Sequence, residues 1–490
     1  MVMIASNGET GEMEDAMQLP ILSVAPVVQA HAEIFRDVFA NRRQFLHFQN
    51  YLTGLIVLDN KGLTNIARCV LDSADKTNLS RFFSEAPWQE EKVNKRRIEY
   101  MMKSTTAHRL EARDSVLVID DTLCEHVGSL FEYVDRHYNH GEDSYPLAHN
   151  LVTSHYVSGA VRFPIDARLY RRYEEATQWS DFVKKHFPAE TIPTQKKQRN
   201  AFHERVDPIL LTDPEFSKLH DQFRTKIALA ITLLKDAIIQ NVDFQWALFD
   251  GWYLSPEFLA VITEHGKDWI SILKNNRKLE TNSFVLYDAQ GQPIRLAGPH
   301  IKVRDLIPLI PKSAYKPIQS GERTYYTFTF TVRIPSIGKV RLVISFDNPD
   351  LKDTYALLVS NRLDCTAKQI ITTYLLRWPI ETFYQDSKQQ LGLDEYRMRT
   401  AEAIKKHWCL VFVAYSLLHL ECLSASLPKK HASPQKSIGV AARQQAQALI
   451  QDLILHAHHA LSNGQSIHDL VSSLFAKQQP PIPKPVLCQV

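Results

Sequence analysis

The sequence predicts an α/β protein whose core is a mixed five-stranded sheet with helices, interrupted by a β-rich insertion and flanked by helical regions. In residues 111–276, short apolar segments that end in acids alternate with helical segments, as buried strands connected by helices do. Residues 277–362 instead alternate apolar and polar positions, the period of a half-exposed antiparallel sheet. With 490 residues, the chain is long enough for several packed units.

The N-terminal part is predicted to be helical. Residues 1–18 are polar and acidic and are expected to be disordered, whereas residues 19–110 show helical periodicity. Residues 63–71 and 78–86 outline two short helices joined by a turn, as in a helix-turn-helix DNA-binding unit, and the next helix is basic. A plain helical bundle with a solvated basic face explains this pattern equally well. The expected DNA contacts are Arg81, Lys95, Arg96 and Arg97.

Two strands of the core are expected to end in acids. The five strands are predicted at residues 115–120, 151–159, 163–172, 244–250 and 268–276, with a helix over residues 219–241 before the fourth. The first strand ends in Asp120 and Asp121, and the fourth ends in Asp250. Acids at strand ends emerge at the rim of a sheet, where ligands bind in open α/β folds.

The core is predicted to resume after the β-rich insertion. The insertion contains strands at residues 325–334, 339–347 and 354–361. Residues 363–424 form the second part of the core and carry a helix over residues 379–391, framed by a proline at its first position and a glycine just past its end. Residues 425–490 are expected to be a helical C-terminal region with a proline-rich tail.

Charged side chains cluster around the start of the helix at residues 379–391. Glu381 lies in its first turn, and Lys388 lies two turns further along the same face. Arg377 and Tyr374 precede the helix and would approach Glu381 from its N-terminal side. These charges are either ordinary surface ion pairs or a metal ligand between groups that bind phosphates.

An acid on the first strand, an acid on the fourth strand and a glutamate on a late helix could converge on one or two divalent cations. Carboxylate oxygens favour Mg²⁺ or Mn²⁺ over zinc. Two such ions, about 3.5–4 Å apart, promote the displacement of a phosphodiester oxygen. This order of acids is the layout of RNase H-like nucleases and polynucleotidyl transferases.

The spacing Y-x2-R-x3-E-x6-K, formed by Tyr374, Arg377, Glu381 and Lys388, resembles the signature of the bacterial cut-and-paste DDE transposases of the insertion-sequence group four superfamily. The DDT stretch at residues 120–122 resembles the motif of the first catalytic acid, and Asp121 is the matching position. FDGWY matches Asp250 to the second acid. A β insertion between the second acid and the glutamate is also characteristic of this branch.

The resemblance implies a DNA transposase with an RNase H-like catalytic core. Asp121, Asp250 and Glu381 would bind two Mg²⁺ ions, for which Mn²⁺ would substitute, and would cleave transposon ends before the 3′-hydroxyl attacks target DNA. The implied partners are double-stranded DNA, both terminal inverted repeats and target, and a second copy in a homodimer. The implied DNA contacts are Tyr374, Arg377, Lys388, Lys274, Arg277 and Lys278. Trp378 either stacks on a base or packs under the helix start.

Composition and short sequence patterns bear on the partners, the location and the metal sites of the protein. The net charge of +3 is too small to indicate nucleic-acid binding by itself. Six scattered cysteines, no signal-peptide pattern and no apolar stretch long enough for a bilayer predict a bacterial cytoplasmic protein, associated with the nucleoid when bound to DNA, with no membrane partner. The histidines at positions 456, 458 and 459 are interpreted as a solvated cluster, not as a metal site.

Two other functions stay open on the same fold. The first is a catalytically silent DNA-binding relative, which the presence of all three acids disfavours. The second is a structure-selective nuclease, which would not need the basic helix pair at residues 63–103.

Overall fold

The computed structural model describes residues 18–71, 75–139, 141–352, 354–423 and 436–478. The segment predicted to be disordered therefore lies outside the described residues except for Gln18, and so does the proline-rich tail beyond Gln478. The chain divides into two compact units: Met1–Trp88 with Ala442–Val490, and Gln89–Ala441. They are called here the helical unit and the sheet unit.

The helices, numbered in chain order, are α1 (Pro26–His31), α2 (Arg42–Val57), α3 (Leu63–Cys69), α4 (Lys76–Ser84), α5 (Glu90–Ser104), α6 (Tyr173–Ala176), α7 (Trp179–His186), α8 (Lys196–Leu210), α9 (Pro214–Gln222), α10 (Lys226–Ile239), α11 (Pro256–Glu264), α12 (Val303–Leu306), α13 (Ala367–Tyr374), α14 (Pro379–Leu391), α15 (Ala401–Cys422), α16 (Ile438–Ser462) and α17 (Ile467–Leu474). The strands are β1 (Val116–His126), β2 (Asp135–Arg136), β3 (Leu147–Ser158), β4 (Val161–Tyr170), β5 (Trp246–Phe249), β6 (Asp268–Ile272), β7 (Lys278–Glu280), β8 (Leu286–Tyr287), β9 (Pro293–Ile294), β10 (His300–Lys302), β11 (Lys316–Ser320), β12 (Arg323–Ile334), β13 (Gly338–Phe346) and β14 (Tyr355–Ser360). None of the described helices has both the length and the apolar character needed to cross a membrane.

The helical unit contains the predicted pair of short helices, α3 and α4, together with residues from both ends of the chain. The N–H of Val27 donates to the side chain of Gln445 at 2.8 Å, and the N–H of Gln18 donates to the side chain of Gln478 at 3.0 Å. The predicted domains at residues 19–110 and 425–490 therefore differ from the observed units. α5 belongs to the sheet unit because it buries Ile98 and Met101 in the core of the sheet.

In the sheet unit, ten of the described strands form one mixed sheet in the order β11-β12-β13-β14-β6-β5-β1-β3-β2, with β4 paired to β3. The five predicted core strands are present as β1, β3, β4, β5 and β6. The β1–β5 and β5–β6 pairs are parallel, whereas β1–β3 and β14–β6 are antiparallel. The predicted insertion is not a separate sheet, because β14 pairs with β6 and so joins β11–β13 to the core.

Helices cover both faces of the core strands because adjacent strand residues point to opposite faces. Leu117 and Ile119 of β1 lie in one core cluster with buried residues of α10 and α11. On the other face, Phe383 of α14 packs edge-on against Tyr415 of α15, with ring centroids 4.9 Å apart. The helix predicted over residues 219–241 is interrupted, because the side chain of Thr225 caps a new helix by accepting from the N–H of Ala228 at 3.1 Å.

Candidate active site

The first pair of acids lies where the neighbouring strand β5 ends while β1 continues, a point called here the step in the sheet. β1 continues for five residues beyond Asp121, to His126, so the prediction that this strand ends in its acids is wrong. The parallel neighbour β5 pairs with β1 only as far as Ile119 opposite Phe249, and Asp250 follows directly. Beyond this point β1 keeps its antiparallel partner β3 on one side. Asp120 and Asp121 therefore lie next to the end of β5, beside Asp250.

Arg377 connects the first strand with the start of α14. Its Nη1 donates to Oδ2 of Asp120 at 2.6 Å, and its Nη2 donates to Oε1 of Glu381. The side chain of Arg377 is only 16% exposed, whereas that of Glu381 is 39% exposed. The predicted cation next to the carboxylate is thus present, and it is shared between two acids from distant parts of the chain.

Asp121 points to the opposite face of the sheet and has different partners. Its Oδ2 accepts from Nζ of Lys226 at 2.7 Å, and its Oδ1 accepts from the hydroxyl of Tyr253 at 2.9 Å. Lys226 is the first residue of α10, and Tyr253 follows Asp250 in the FDGWY segment. Sequence reasoning missed both residues. The signal for Tyr253 was its place in that segment, whereas Lys226 follows a helix break that was not predicted.

Asp250 is held by a tight turn. Its Oδ1 accepts from the N–H of Trp252 at 2.9 Å, and its carbonyl accepts from Oγ of Ser271 at 3.1 Å. A Cβ at Gly251 would lie 2.9 Å from the carbonyl oxygen of Ile272, which is closer than any side chain tolerates. The turn that positions Asp250 against β6 therefore requires glycine at position 251.

Burial and mutual repulsion shift Asp120 and Asp250 toward their neutral forms. Burial, opposed by Arg377 and reinforced by Asp121 and Asp250, raises the pKa of Asp120 to about 7. Burial also raises the pKa of Asp250, and Asp121 adds to that shift. The hydroxyl of Tyr384, another residue that sequence reasoning missed, lies 2.6 Å from Oγ1 of Thr153, opposite Asp120 on β3. The raised pKa values of Asp120 and Asp250 indicate that the neighbouring cations compensate the negative charge of these acids only in part.

The other residues of the tyrosine–arginine–glutamate–lysine spacing contact the same two strands. The hydroxyl of Tyr374 donates to the carbonyl of Phe249, at the end of β5, at 3.4 Å. Nζ of Lys388 donates to the carbonyl of Leu123 on β1 at 2.6 Å. Tyr374 and Arg377 therefore contact the step between β5 and β1, Glu381 is linked to it through Arg377, and Lys388 contacts β1 beyond it.

Comparison with known proteins agrees with this geometry. Residues 111–417 match the family model described as a transposase DDE domain, and this range contains all of the acids above. The chain belongs to the DDE transposase family. Over 387 residues it is 22% identical to the "Probable transposase for insertion sequence element IS701" of Microchaete diplosiphon, covering 77% of this chain and 83% of that protein. The predicted membership among insertion-sequence DDE transposases is confirmed.

The carboxylates of this DDE domain have the chemistry of a divalent-metal site, although cations of the chain now occupy them. Among the described residues, no group of three or more His, Cys, Asp or Glu side chains is arranged to hold a metal ion. Arg377 lies between Asp120 and Glu381, and Lys226 contacts Asp121. Carboxylate oxygens are nevertheless the ligands that Mg²⁺ and Mn²⁺ prefer, and the under-compensated charge attracts a cation. The donor set therefore fits the metals that the DDE family implies.

The basic residues predicted after β6 differ in their contacts and in their exposure. Nζ of Lys274 lies 5.6 Å from the ring centroid of Trp252, next to Asp250. Arg277 donates to the carbonyl of Leu254 at 3.3 Å. Lys278 is exposed on β7, and Trp378, at the start of α14, is 63% exposed. Lys274 and Trp378 are thus open to a DNA ligand.

The predicted DNA contacts near the N-terminus divide between the two units. Arg81 is exposed on α4 and lies 3.7 Å from Glu85, and Lys95 is exposed on α5. Arg96 is half-buried on the same helix. Arg97 is fully buried and donates to the backbone carbonyls of neighbouring strand β4, and burial lowers its pKa to about 10. Its contacts give Arg97 a structural role in place of the predicted DNA contact.

The histidine cluster near the C-terminus agrees with its interpretation as a solvated cluster. His456, His458 and His459 are exposed on α16, in the helical unit. The rings of His458 and His459 are 5.8 Å apart and tilted.

Proposed function

We propose that this chain is a cut-and-paste transposase: it cleaves double-stranded DNA at the terminal inverted repeats of its element and joins the 3′-hydroxyl to target DNA. The observation that carries the proposal is that Asp250, at the end of β5, lies beside the acids of β1, and that Arg377 links one of these acids, Asp120, to Glu381, in a chain of the DDE family. The Y-x2-R-x3-E-x6-K spacing supports membership in the corresponding branch, and the order of acids supports an RNase H-like core.

Asp250, Glu381 and one acid of β1 are the proposed ligands of two Mg²⁺ ions, with Mn²⁺ as a substitute. The DDT motif assigns the β1 ligand to Asp121, whereas Asp120 is the acid that shares Arg377 with Glu381. Bound there, the ions supply the Lewis acidity that activates an attacking hydroxyl and stabilises the leaving oxygen. Arg377 and Lys226 are internal counter-ions of the site, because each contacts a carboxylate of the site directly. Both move from carboxylate to phosphate when DNA binds, since a phosphate diester offers them an equivalent anionic partner.

The remaining polar groups position the DNA backbone. Arg377 is suited to a bidentate phosphate contact by its planar fork of donors, and Lys388 adds a point charge two turns along α14. Tyr374 holds Arg377 in place, since the guanidinium carbon lies 5.9 Å from the centroid of its ring. Lys274, Arg277 and Lys278 extend this basic surface beyond β6. A homodimer is part of the proposal, because two transposon ends must be joined in one reaction.

The test is strand cleavage by the full chain of DNA that carries the sequences flanking its gene, in Mg²⁺, in Mn²⁺ and in EDTA. We expect cleavage that requires metal and is lost in Glu381→Gln. The matched control is Glu402→Gln, because Glu402 is an exposed helical glutamate whose partner, Lys406, lies outside the site. Equal cleavage by wild type and Glu381→Gln would contradict the assignment of Glu381.

The same assay separates the two alternative functions. A silent relative binds the ends and produces no cut under any metal condition. A structure-selective nuclease cuts branched or hairpin DNA without regard to the flanking sequences and gives no joined product. A transposase gives both the cut ends and, with added target DNA, the strand-transfer product.

A further inference from the structure

An exposed tryptophan lies directly beside the second acid. Trp252 is 58% exposed, although it follows Asp250 by only two positions. Its backbone N–H donates to Oδ1 of Asp250, so the indole is attached to the active site by a short and rigid connection. The same turn sends the next side chain, Tyr253, inward, where it is completely buried and contacts Asp121. The turn thus presents one aromatic ring to solvent and the other to an acid.

Two lysines from separate elements flank this indole. Nζ of Lys226, at the start of α10, lies 5.8 Å from the ring centroid of Trp252, and Nζ of Lys274, after β6, lies 5.6 Å from it. Lys226 also contacts Asp121 at 2.7 Å and lies 5.2 Å from the ring centroid of Tyr170. The aromatic surface, two cations and an acid of the active site therefore occupy one small region.

The relative strengths of these contacts favour an incoming base over the lysines. An exposed cation–π contact is worth about 0.5–1 kcal/mol. Stacking of a nucleobase on an aromatic side chain is worth about 1–3 kcal/mol. A base that reaches the indole can therefore displace a lysine from the ring, and the freed ammonium can then bind a phosphate.

We propose that Trp252, Lys226 and Lys274 form a nucleotide seat: the indole stacks on the base next to the scissile phosphate, and the two ammonium groups bind the phosphates on either side of it. The seat rests on the proposed function, because it needs DNA at the neighbouring acids. It takes an unpaired or extruded nucleotide, since a base inside a duplex has both faces covered. It has no base preference, since every base offers a π-face.

Trp378 is the competing platform, and the contacts distinguish it from Trp252. Trp378 is equally open, at 63% exposure, and it precedes Glu381 by three positions. Among the described residues, no cation lies over its ring, whereas two lie over that of Trp252. The pairing of an aromatic face with phosphate-binding cations is therefore found at position 252.

The test is the fluorescence of 2-aminopurine, a base analogue that stacking quenches, placed as an unpaired nucleotide next to the cleavage position of the end DNA, so that it is bright before the protein is added. The full chain is added in Ca²⁺ so that binding is measured without cleavage. We expect quenching by wild type and by Trp252→Phe, and its loss in Trp252→Ala with a roughly 5- to 150-fold weaker affinity. Trp378→Ala is the matched control and keeps the quenching.

Lys274→Ala provides a second measurement that does not depend on the tryptophan. Because Lys274 is exposed, we expect Lys274→Ala to leave the fold unchanged. The substitution should lower the salt dependence of DNA affinity by about one phosphate contact. Quenching that survives Trp252→Ala, or is absent from wild type, overturns the seat. Cleavage of the same DNA in Mg²⁺ decides the proposed function separately, so that either idea can fail alone.

Discussion

Asp120 and Asp121 are adjacent in sequence, but their carboxylates bind different cations on opposite faces of the sheet. Asp120 accepts from Arg377, and Asp121 accepts from Lys226. The separation follows from the alternation of side chains along β1. β1 thus places Asp120 on the face covered by α14 and Asp121 on the face covered by α10. Of these two acids, the DDT motif predicts that one, Asp121, shares a metal ion with Asp250.

Asp121→Asn and Asp120→Asn separate these two acids. We expect Asp121→Asn to lower the rate of DNA cleavage by more than about 100-fold, because a ligand is lost, and Asp120→Asn to lower it by roughly 10–100-fold, as is usual for a residue that orients others. Single-turnover cleavage at saturating Mn²⁺ measures both rates, and Mn²⁺ binding followed by electron paramagnetic resonance reports the ligand directly. The reverse order of the two effects would assign the metal to Asp120.

Arg377 is expected to stabilise the fold through its bridge between strand and helix. Arg377→Gln leaves Asp120 buried without its cation and should lower the free energy of unfolding by about 1–3 kcal/mol. Adding Asp120→Asn should recover part of this loss, because residues in direct contact couple by about 0.5–3 kcal/mol. Urea unfolding of the four variants in the cycle measures the coupling.

Arg362 provides the matched control for this cycle. It also bridges two acids, Asp268 and Asp364, but its side chain is 43% exposed, compared with 16% for Arg377. Arg362→Gln should therefore cost less than about 1 kcal/mol, as exposed ion pairs do. Equal losses for the two arginines would show that the bridge to Asp120 has no special contribution.

Much of the site follows from local sequence signals, whereas its assembly does not. In the structure, α14 begins at Pro379 and ends just before Gly392, whose φ is +67°. Both ends are predictable because proline is tolerated in the first turn of a helix and glycine adopts a positive φ without strain. By contrast, β1 extends beyond the apolar segment, since its polar second half is satisfied by hydrogen bonds to β3. The contact between Asp121 and Lys226 likewise depends on strands and helices that are distant in sequence.

Domain boundaries were the least predictable part for the same reason. The basic face of α5 resembles that of a DNA-binding helix, and its polar pattern alone does not reveal that Arg97 is enclosed. Only packing against β4 and α15 distinguishes Arg97 from its exposed neighbour Lys95.

Arg97 is expected to determine stability and not DNA affinity. Its Nη1 donates to the carbonyl of Pro164 at 2.6 Å and to Oγ of Ser416 at 2.9 Å, and its Nη2 donates to the carbonyl of Ile165 at 2.7 Å. Arg97→Met leaves these buried acceptors unpaired and should lower the free energy of unfolding by about 3 kcal/mol. Lys95→Met should change it by less than about 0.5 kcal/mol. Thermal unfolding measures both, and a loss of DNA affinity by folded Arg97→Met would contradict the structural role.

The free energy of unfolding should decrease as the pH falls, because a histidine is buried between β4 and α15. Nε2 of His419 accepts from the backbone N–H of Arg162 at 3.0 Å, so the ring is neutral at this nitrogen, and burial lowers its pKa to about 3. The unfolded chain binds a proton near pH 6.5, whereas the folded chain does not. This contribution is therefore complete above pH 6.5 and is lost as the pH falls toward 3.

His419→Gln tests this linkage, because a glutamine amide oxygen accepts from the same N–H without titrating. Between pH 7.5 and 5, wild type should lose about 2 kcal/mol more of its free energy of unfolding than His419→Gln does, since only the 1.5 pH units below 6.5 contribute at about 1.4 kcal/mol each. His456→Gln, on an exposed histidine of α16, is the control and should follow wild type. Urea unfolding at both pH values measures the difference, and parallel profiles for wild type and His419→Gln would place the acid sensitivity elsewhere.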